Sequence, residues 1–327
     1  MSRANWALLA AVGVTMLGLA VTLALIGAVG ARDVLAVLAR IGAVPFLVYA
    51  AYTLFILSVL GLAWQVLTPG LPVATFVWAR TLREAATNLL PFSQFGGIVV
   101  GLRVLVAGRV PQPVAYASQV ADQTAELAAQ LVYTLYGVAA LLLVLNGAGG
   151  GGDVRRLALV GLAASVAIIL AFAFAQRPML ALAARIGGAM LPGSAATLIE
   201  VRARLDAIYA RRGRLIACFL LHLLAWVASG AGAAIVLDFI GIEISLHAVI
   251  VIESLIFTLR TAAFLIPGGV GVQEGAYVLI GPLFGLPPEA ALALSLAKRA
   301  RDLIVDVPAL LVWQLGELRS VAARRER

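Results

Sequence analysis

The chain has 327 residues, of which 63% are hydrophobic and only 12% charged, and its mean hydropathy is +1.04. A soluble domain is about 45–50% apolar and about 25% charged, so these values exclude a soluble globular protein. The net charge of +8 is almost wholly arginine, with Lys298 the one lysine; in so apolar a chain it points to cytoplasmic loops and anionic lipid headgroups, and away from nucleic acid.

A spanning helix needs about 20 apolar residues. The first candidate, 6–30, follows Arg3 and exceeds the about 7–15 residues of a signal-peptide core, so it reads as a retained span. Further spans are expected at 41–67, 113–145, 154–176, 214–238 and 289–316. Two more apolar regions, 75–108 and 249–287, are interrupted near their middles. The first break holds Pro91, Gly96 and Gly97; the second holds Pro267, Gly268, Gly269 and Gly271. Hydrocarbon offers no partner to the backbone groups of a broken helix, so such a segment must be wrapped in protein or line a polar cavity. Each region reads as a re-entrant hairpin of two short helices. The expected fold is an all-α, polytopic transmembrane bundle of about six spans plus two hairpins, a single integral membrane domain over 1–327. Its parts are a first half (1–176), a basic loop (177–213), a second half (214–316) and a tail (317–327).

Arginine placement sets the orientation. The region around the loop carries Arg177, Arg185, Arg202, Arg204, Arg211, Arg212 and Arg214 against Glu200 and Asp206, and the tail carries Arg319, Arg324, Arg325 and Arg327. Both belong on the cytoplasmic side. The turn near Asp238 and Glu243 has no arginine and belongs outside. Both termini are then cytoplasmic, although Arg32, Arg40, Arg155 and Arg156 fall on the outer side. The two hairpins enter from opposite faces.

The halves also echo each other. Pro91 precedes Gly97-Ile-Val-Val-Gly101, and Pro267 precedes Gly271-Val-Gln-Glu-Gly275. Counted from those prolines, Asp122 matches Lys298 and Glu126 matches Asp302. Opposite entry with an internal echo suggests an inverted repeat, and paired helix breaks point to a transporter's binding site.

Charged side chains mark the same place. Arg80, Arg83, Glu84 and Asn88 form one helical stripe, and Glu253 with Arg260 another. Gln119, Asp122, Glu126, Gln130 and Tyr133 share a face, as do Ser295, Lys298, Asp302 and Asp306, with Arg299 and Arg301 beside them. The first half sets Arg80, Arg83 and Arg103 against Glu84, Asp122 and Glu126. The second sets Arg260, Lys298, Arg299 and Arg301 against Glu253, Glu274, Asp302 and Asp306. Each set sums to zero. A lone charge at the bilayer centre costs about 2.5–3.5 kcal/mol on insertion scales, so these groups must pair or meet water. They are either ion pairs bracing broken helices or the lining of a hydrated path.

Several chemistries lack their parts. There is no G-x-S-x-G, H-E-x-x-H or Walker loop. Asp302-x-x-x-Asp306 has the tail of the CDP-alcohol phosphotransferase motif without its upstream elements. Cys218 stands alone, so no intramolecular disulfide forms. His222 and His247 are too few for a histidine-rich metal site, and His222 reads as a hydrogen-bonded packing residue. No cofactor, no metal and no nucleic-acid partner are expected.

The stretch Arg83–Asn88, Pro91, Gly97, Arg103, Gly108 and the Asp122-x-x-x-Glu126 helix resembles the transmembrane region of lysylphosphatidylglycerol synthases, a flippase-like integral membrane family. So does Pro267-Gly-Gly-Val-Gly-Val-Gln-Glu-Gly with Leu283-Phe-Gly-Leu-Pro-Pro-Glu289. Where relatives carry Gly-Glu after the first proline, this chain has Phe95-Gly96-Gly97; with Gln273-Glu274-Gly275-Ala-Tyr277 it is more similar to the branch associated with hopanoid biosynthesis. The chain ends shortly after its last span, so the aminoacyl-transferase domain is expected to be missing and lysyl transfer is not carried over. The resemblance implies a non-enzymatic protein of the bacterial inner membrane that moves an amphipathic lipid between leaflets or toward the outer membrane. Its cavity would be lined by Arg80, Arg83, Glu84, Asn88, Arg103, Asp122, Glu126, Glu253, Arg260, Glu274, Lys298, Arg299 and Asp302. The alternatives are a membrane-embedded lipid-modifying enzyme using Asp122 and Glu126 or Asp302 and Asp306, and a scaffold that gathers lipid-synthesis proteins through its basic loop.

Overall fold

The computed structural model describes residues 31–89, 93–147, 156, 163, 194–262 and 269–325. Among these residues every regular element is helical. In chain order they are α1 (Ala31–Ile41), α2 (Ala43–Gln65), α3 (Val73–Leu89), α4 (Ser93–Ala107), α5 (Gln112–Gly147), α6 (Ser194–Tyr209), α7 (Arg212–Phe239), α8 (Leu246–Ala262), α9 (Val272–Ile280), a 3₁₀ turn (Gly281–Phe284) and α10 (Pro288–Arg325).

Among the described residues three helices are long and apolar enough to cross a bilayer: α2, Gln112–Leu145 of α5, and α7. They match the expected spans at 41–67, 113–145 and 214–238. At 1.5 Å per residue the 23 residues of α2 reach about 35 Å, enough for a hydrocarbon core of about 30 Å. The expected span at 289–316 lies within α10, whose middle carries Lys298, Arg299, Arg301, Asp302 and Asp306; that charge keeps it out of the three. The expected spans 6–30 and 154–176 fall outside the described residues, apart from residues 156 and 163.

The described helices stop short of both expected breaks and resume after them. Proline removes a backbone donor and clashes with the preceding turn. Accordingly α3 ends at Leu89 and α4 starts at Ser93, while α8 ends at Ala262 and α9 starts at Val272. Pro91, Pro267 and Gly268 themselves lie outside the described residues. Gly97 permits the first pair to close. A Cβ there would sit 2.6 Å from the Arg83 carbonyl oxygen and 2.1 Å from Thr87 Oγ1. Gly271 opens α9 with φ 83°, a left-handed conformation that glycine adopts without strain.

The chain divides into two compact units: Met1–Leu57, Arg80–Gly101 and Ser229–Arg327 form one, and Ser58–Ala79 with Leu102–Ala228 the other. In the first, α9 packs on both α8 and α10, and α1 packs on α10. Small residues on α10 (Ala290, Ala291, Ala293, Ala297) are fully buried and let neighbours approach closely around Tyr49, Ile252, Ile256, Tyr277 and Leu286. In the second unit Ala117, Ala121 and Ala125 of α5 pack with Val201, Leu205 and Ile208 of α6 and Cys218 of α7.

The helix α6 was not expected: it lies inside the segment read as a basic loop. Val201, Leu205 and Ile208 recur at helical spacing and are buried, while Arg202 and Arg204 on the other side are exposed.

Candidate functional site

The first unit gathers most of the charged residues singled out in the sequence. The short helix α9 supplies Gln273, Glu274 and Tyr277, all buried. Helix α10 faces them with Ser295, Lys298 and Arg299, one turn apart. Glu253 comes from α8.

Two linked clusters result. In one, Glu274 is fully buried. Its carboxylate accepts from Arg299 Nε at 2.7 Å and Nη2 at 3.3 Å, from Ser295 Oγ at 3.2 Å, and from the Gly271 backbone N–H at 2.7 Å. A carboxylate has about four acceptor sites, so Glu274 is saturated. Gln273 Nε2 in turn donates to Ser295 Oγ at 2.8 Å. In the other cluster the Lys298 ammonium and the Tyr277 hydroxyl both donate to Glu253, and Lys298 also donates to Tyr277 Oη at 2.9 Å. The side chains of Lys298 and Glu253 are 8% and 6% exposed. These contacts use two of the three ammonium protons.

One turn further along α10, Arg301 donates through Nε and Nη2 to Asp302 and through Nη1 to Tyr49 Oη on α2 at 3.0 Å. Its guanidinium lies 5.1 Å from the centre of the Tyr49 ring. Three of its five N–H donors are used by these groups. Deeper on the same helix Asp306 accepts from Asn88 of α3 at 2.9 Å. Beside Arg301 lies an apolar hollow of about 410 Å³, lined by Ala39, Gly42 and Phe46 on one side and Ala297 and Ala300 on the other. Phe46 precedes Tyr49 by one helical turn and Ala297 precedes Arg301 by one; the charged side chains themselves do not line the hollow.

The remaining expected residues sort as follows. Arg80 pairs with Glu84 at 3.4 Å, the expected one-turn stripe, and Arg83 is buried. The Arg260 stem runs along Gly269, whose absent Cβ would lie 3.4 Å from Arg260 Cγ. Arg103 (exposed), Asp122 and Glu126 (both buried) belong to the second unit. There Asp122 Oδ1 lies 2.9 Å from His222 Nε2.

Sequence reasoning missed Tyr49 and undervalued Tyr277. A tyrosine inside an apolar span was a usable signal, because a buried phenol needs a hydrogen-bond partner.

Apolar helices of bilayer length and a buried network of acids and bases define a multi-pass α-helical membrane protein. The chain belongs to the lysylphosphatidylglycerol synthase TM region family, which matches residues 10–309. The family places it in lipid metabolism or translocation, with membrane lipids as its partners. No curated protein and no solved structure matches it.

Proposed function

We propose that the protein moves an amphipathic lipid between the leaflets of a bacterial inner membrane, without chemistry of its own, and that a hopanoid is the lipid its sequence favours. The observation that carries this reading is the Lys298–Arg301 cluster on α10, whose neighbours in sequence, Ala297 and Ala300, line an apolar hollow. An amphipathic lipid needs both: oxygen-binding cations for the headgroup and an apolar wall for the body. Lys298 and Arg301 keep N–H donors beyond those their protein partners take, which suits them to headgroup oxygens. Glu274, with its acceptors filled, serves as a brace. The broken pairs α3–α4 and α8–α9 act as re-entrant hairpins from opposite leaflets, related as an inverted repeat, with both termini cytoplasmic. The driving force is an ion gradient or the lipid gradient itself.

The test is a leaflet-resolved lipid assay in vesicles holding the full chain. Arg301→Gln removes charge-assisted hydrogen bonds of about 1.5–3 kcal/mol, so transport should slow about ten- to a hundredfold. Arg260→Gln and Glu126→Gln extend the comparison to the other charged segments. Unchanged transport in all three overturns the reading. A new lipid species without leaflet exchange would instead favour a lipid-modifying enzyme.

A further inference from the structure

In the second unit, α5 and α7 bring three metal-ligating types together in a fully buried spot: Asp122, Cys218 and His222. Cys218 and His222 stand four residues apart on α7, so they share a face. Asp122 Oδ1 lies 2.9 Å from His222 Nε2 and 3.8 Å from Cys218 Sγ, and all three donor atoms fall within 4.8 Å of one another. Bonds of about 2.0–2.3 Å at tetrahedral angles place zinc ligands roughly 3.3–3.6 Å apart. Two of the three pairs, at 2.9 and 3.8 Å, bracket that range, and the third, Cys218 with His222, lies within 4.8 Å.

One further observation points to a ligand. Gln119 lies one turn before Asp122 on the same face of α5, is 4% exposed, and neither atom of its amide meets a partner among the described residues. An unsatisfied buried polar group costs about 1–3 kcal/mol, so such groups are rare without a reason. Charge agrees: a dication with one carboxylate, one thiolate and a neutral imidazole sums to zero, which a bilayer interior favours.

We propose that Asp122, Cys218 and His222 form a site for a thiophilic divalent cation of the zinc class, tying α5 to α7. Thiolate and imidazole select zinc over magnesium or calcium. The site uses no residue of the α8–α10 network, so it stands or falls separately from the transport reading.

The test uses the purified full chain in lipid nanodiscs, stripped with a chelator and reloaded with zinc or cobalt alone. The wild type should retain one zinc per chain. Cys218→Ser and His222→Gln should each weaken binding by more than the about 10–100-fold that loss of an outer partner costs. The cobalt form should show a thiolate-to-cobalt charge-transfer band that Cys218→Ser abolishes. Since a buried substitution can harm folding, Tm is followed as well. Zinc should raise the wild-type Tm with increasing concentration and leave that of Cys218→Ser unmoved. Retention of no zinc overturns the proposal. So does zinc held equally by wild type and both variants, which is adventitious surface binding.

Discussion

Lys298 owes its place to Glu253 and Tyr277, and the three are best treated as one object. Removing one partner of a buried pair leaves the other charge without compensation, at about 3–5 kcal/mol, while replacing both is often nearly neutral. Lys298→Met should therefore destabilise the protein by about that amount, and Glu253→Gln with Lys298→Met should recover most of the loss. Chemical unfolding of the detergent-solubilised protein reads both. A double variant no more stable than Lys298→Met would show that the two residues are not coupled. The Arg80–Glu84 pair is lopsided by comparison: Arg80 is 2% exposed and Glu84 37%, so only the carboxylate end is open to its surroundings.

At the scale of elements, the two broken pairs rest on different devices. The α3–α4 pair relies on backbone proximity. A side chain at Gly97 would meet the Arg83 carbonyl oxygen at 2.6 Å, and a carbonyl within a helix cannot give way as a flexible side chain can. Gly97→Val should cost about 1–3 kcal/mol through overpacking. Gly213→Ala, where a Cβ meets nothing within 4 Å, is the control. A calorimetric Tm for Gly97→Val that matches the control would rule out a close-packed pair. The α8–α9 pair relies on a polar fastening instead, in which the Tyr277 hydroxyl of α9 donates to Glu253 of α8.

At the scale of the molecule, the two units are discontinuous in sequence. The first takes Arg80–Gly101 from one half of the chain and Ser229–Arg327 from the other. Orientation is a separate property, resting on arginine asymmetry. Cys218 is fully buried and out of reach of an impermeant thiol reagent, so Arg202→Cys in the otherwise native chain should react only from the cytoplasmic side, and Glu243→Cys only from outside. Arg202 is exposed on α6 and Glu243 lies in the turn after α7. Labelling of both from one side would refute the orientation and, with it, the opposite entry of the hairpins.

The sequence by itself determined the class, the spans at α2, α5 and α7, and the two helix breaks. These are local matters: lipid forces each apolar segment to satisfy its own backbone as helix, and the Pro-Gly clusters at 91–97 and 267–271 fall where the described helices are interrupted, whereas the lone Pro308 is carried inside α10. The α6 helix was equally legible through Val201, Leu205 and Ile208, but the arginines around it were read as loop. The pairings were not legible. Asn88 meets Asp306 across 218 residues, and Tyr49 meets Arg301 across 252. Charge balance said that acids and bases must compensate each other, not which with which. That choice depends on how each helix is rotated against its neighbours, and rotation is set by side chains on several helices at once, so only the tertiary structure decided it.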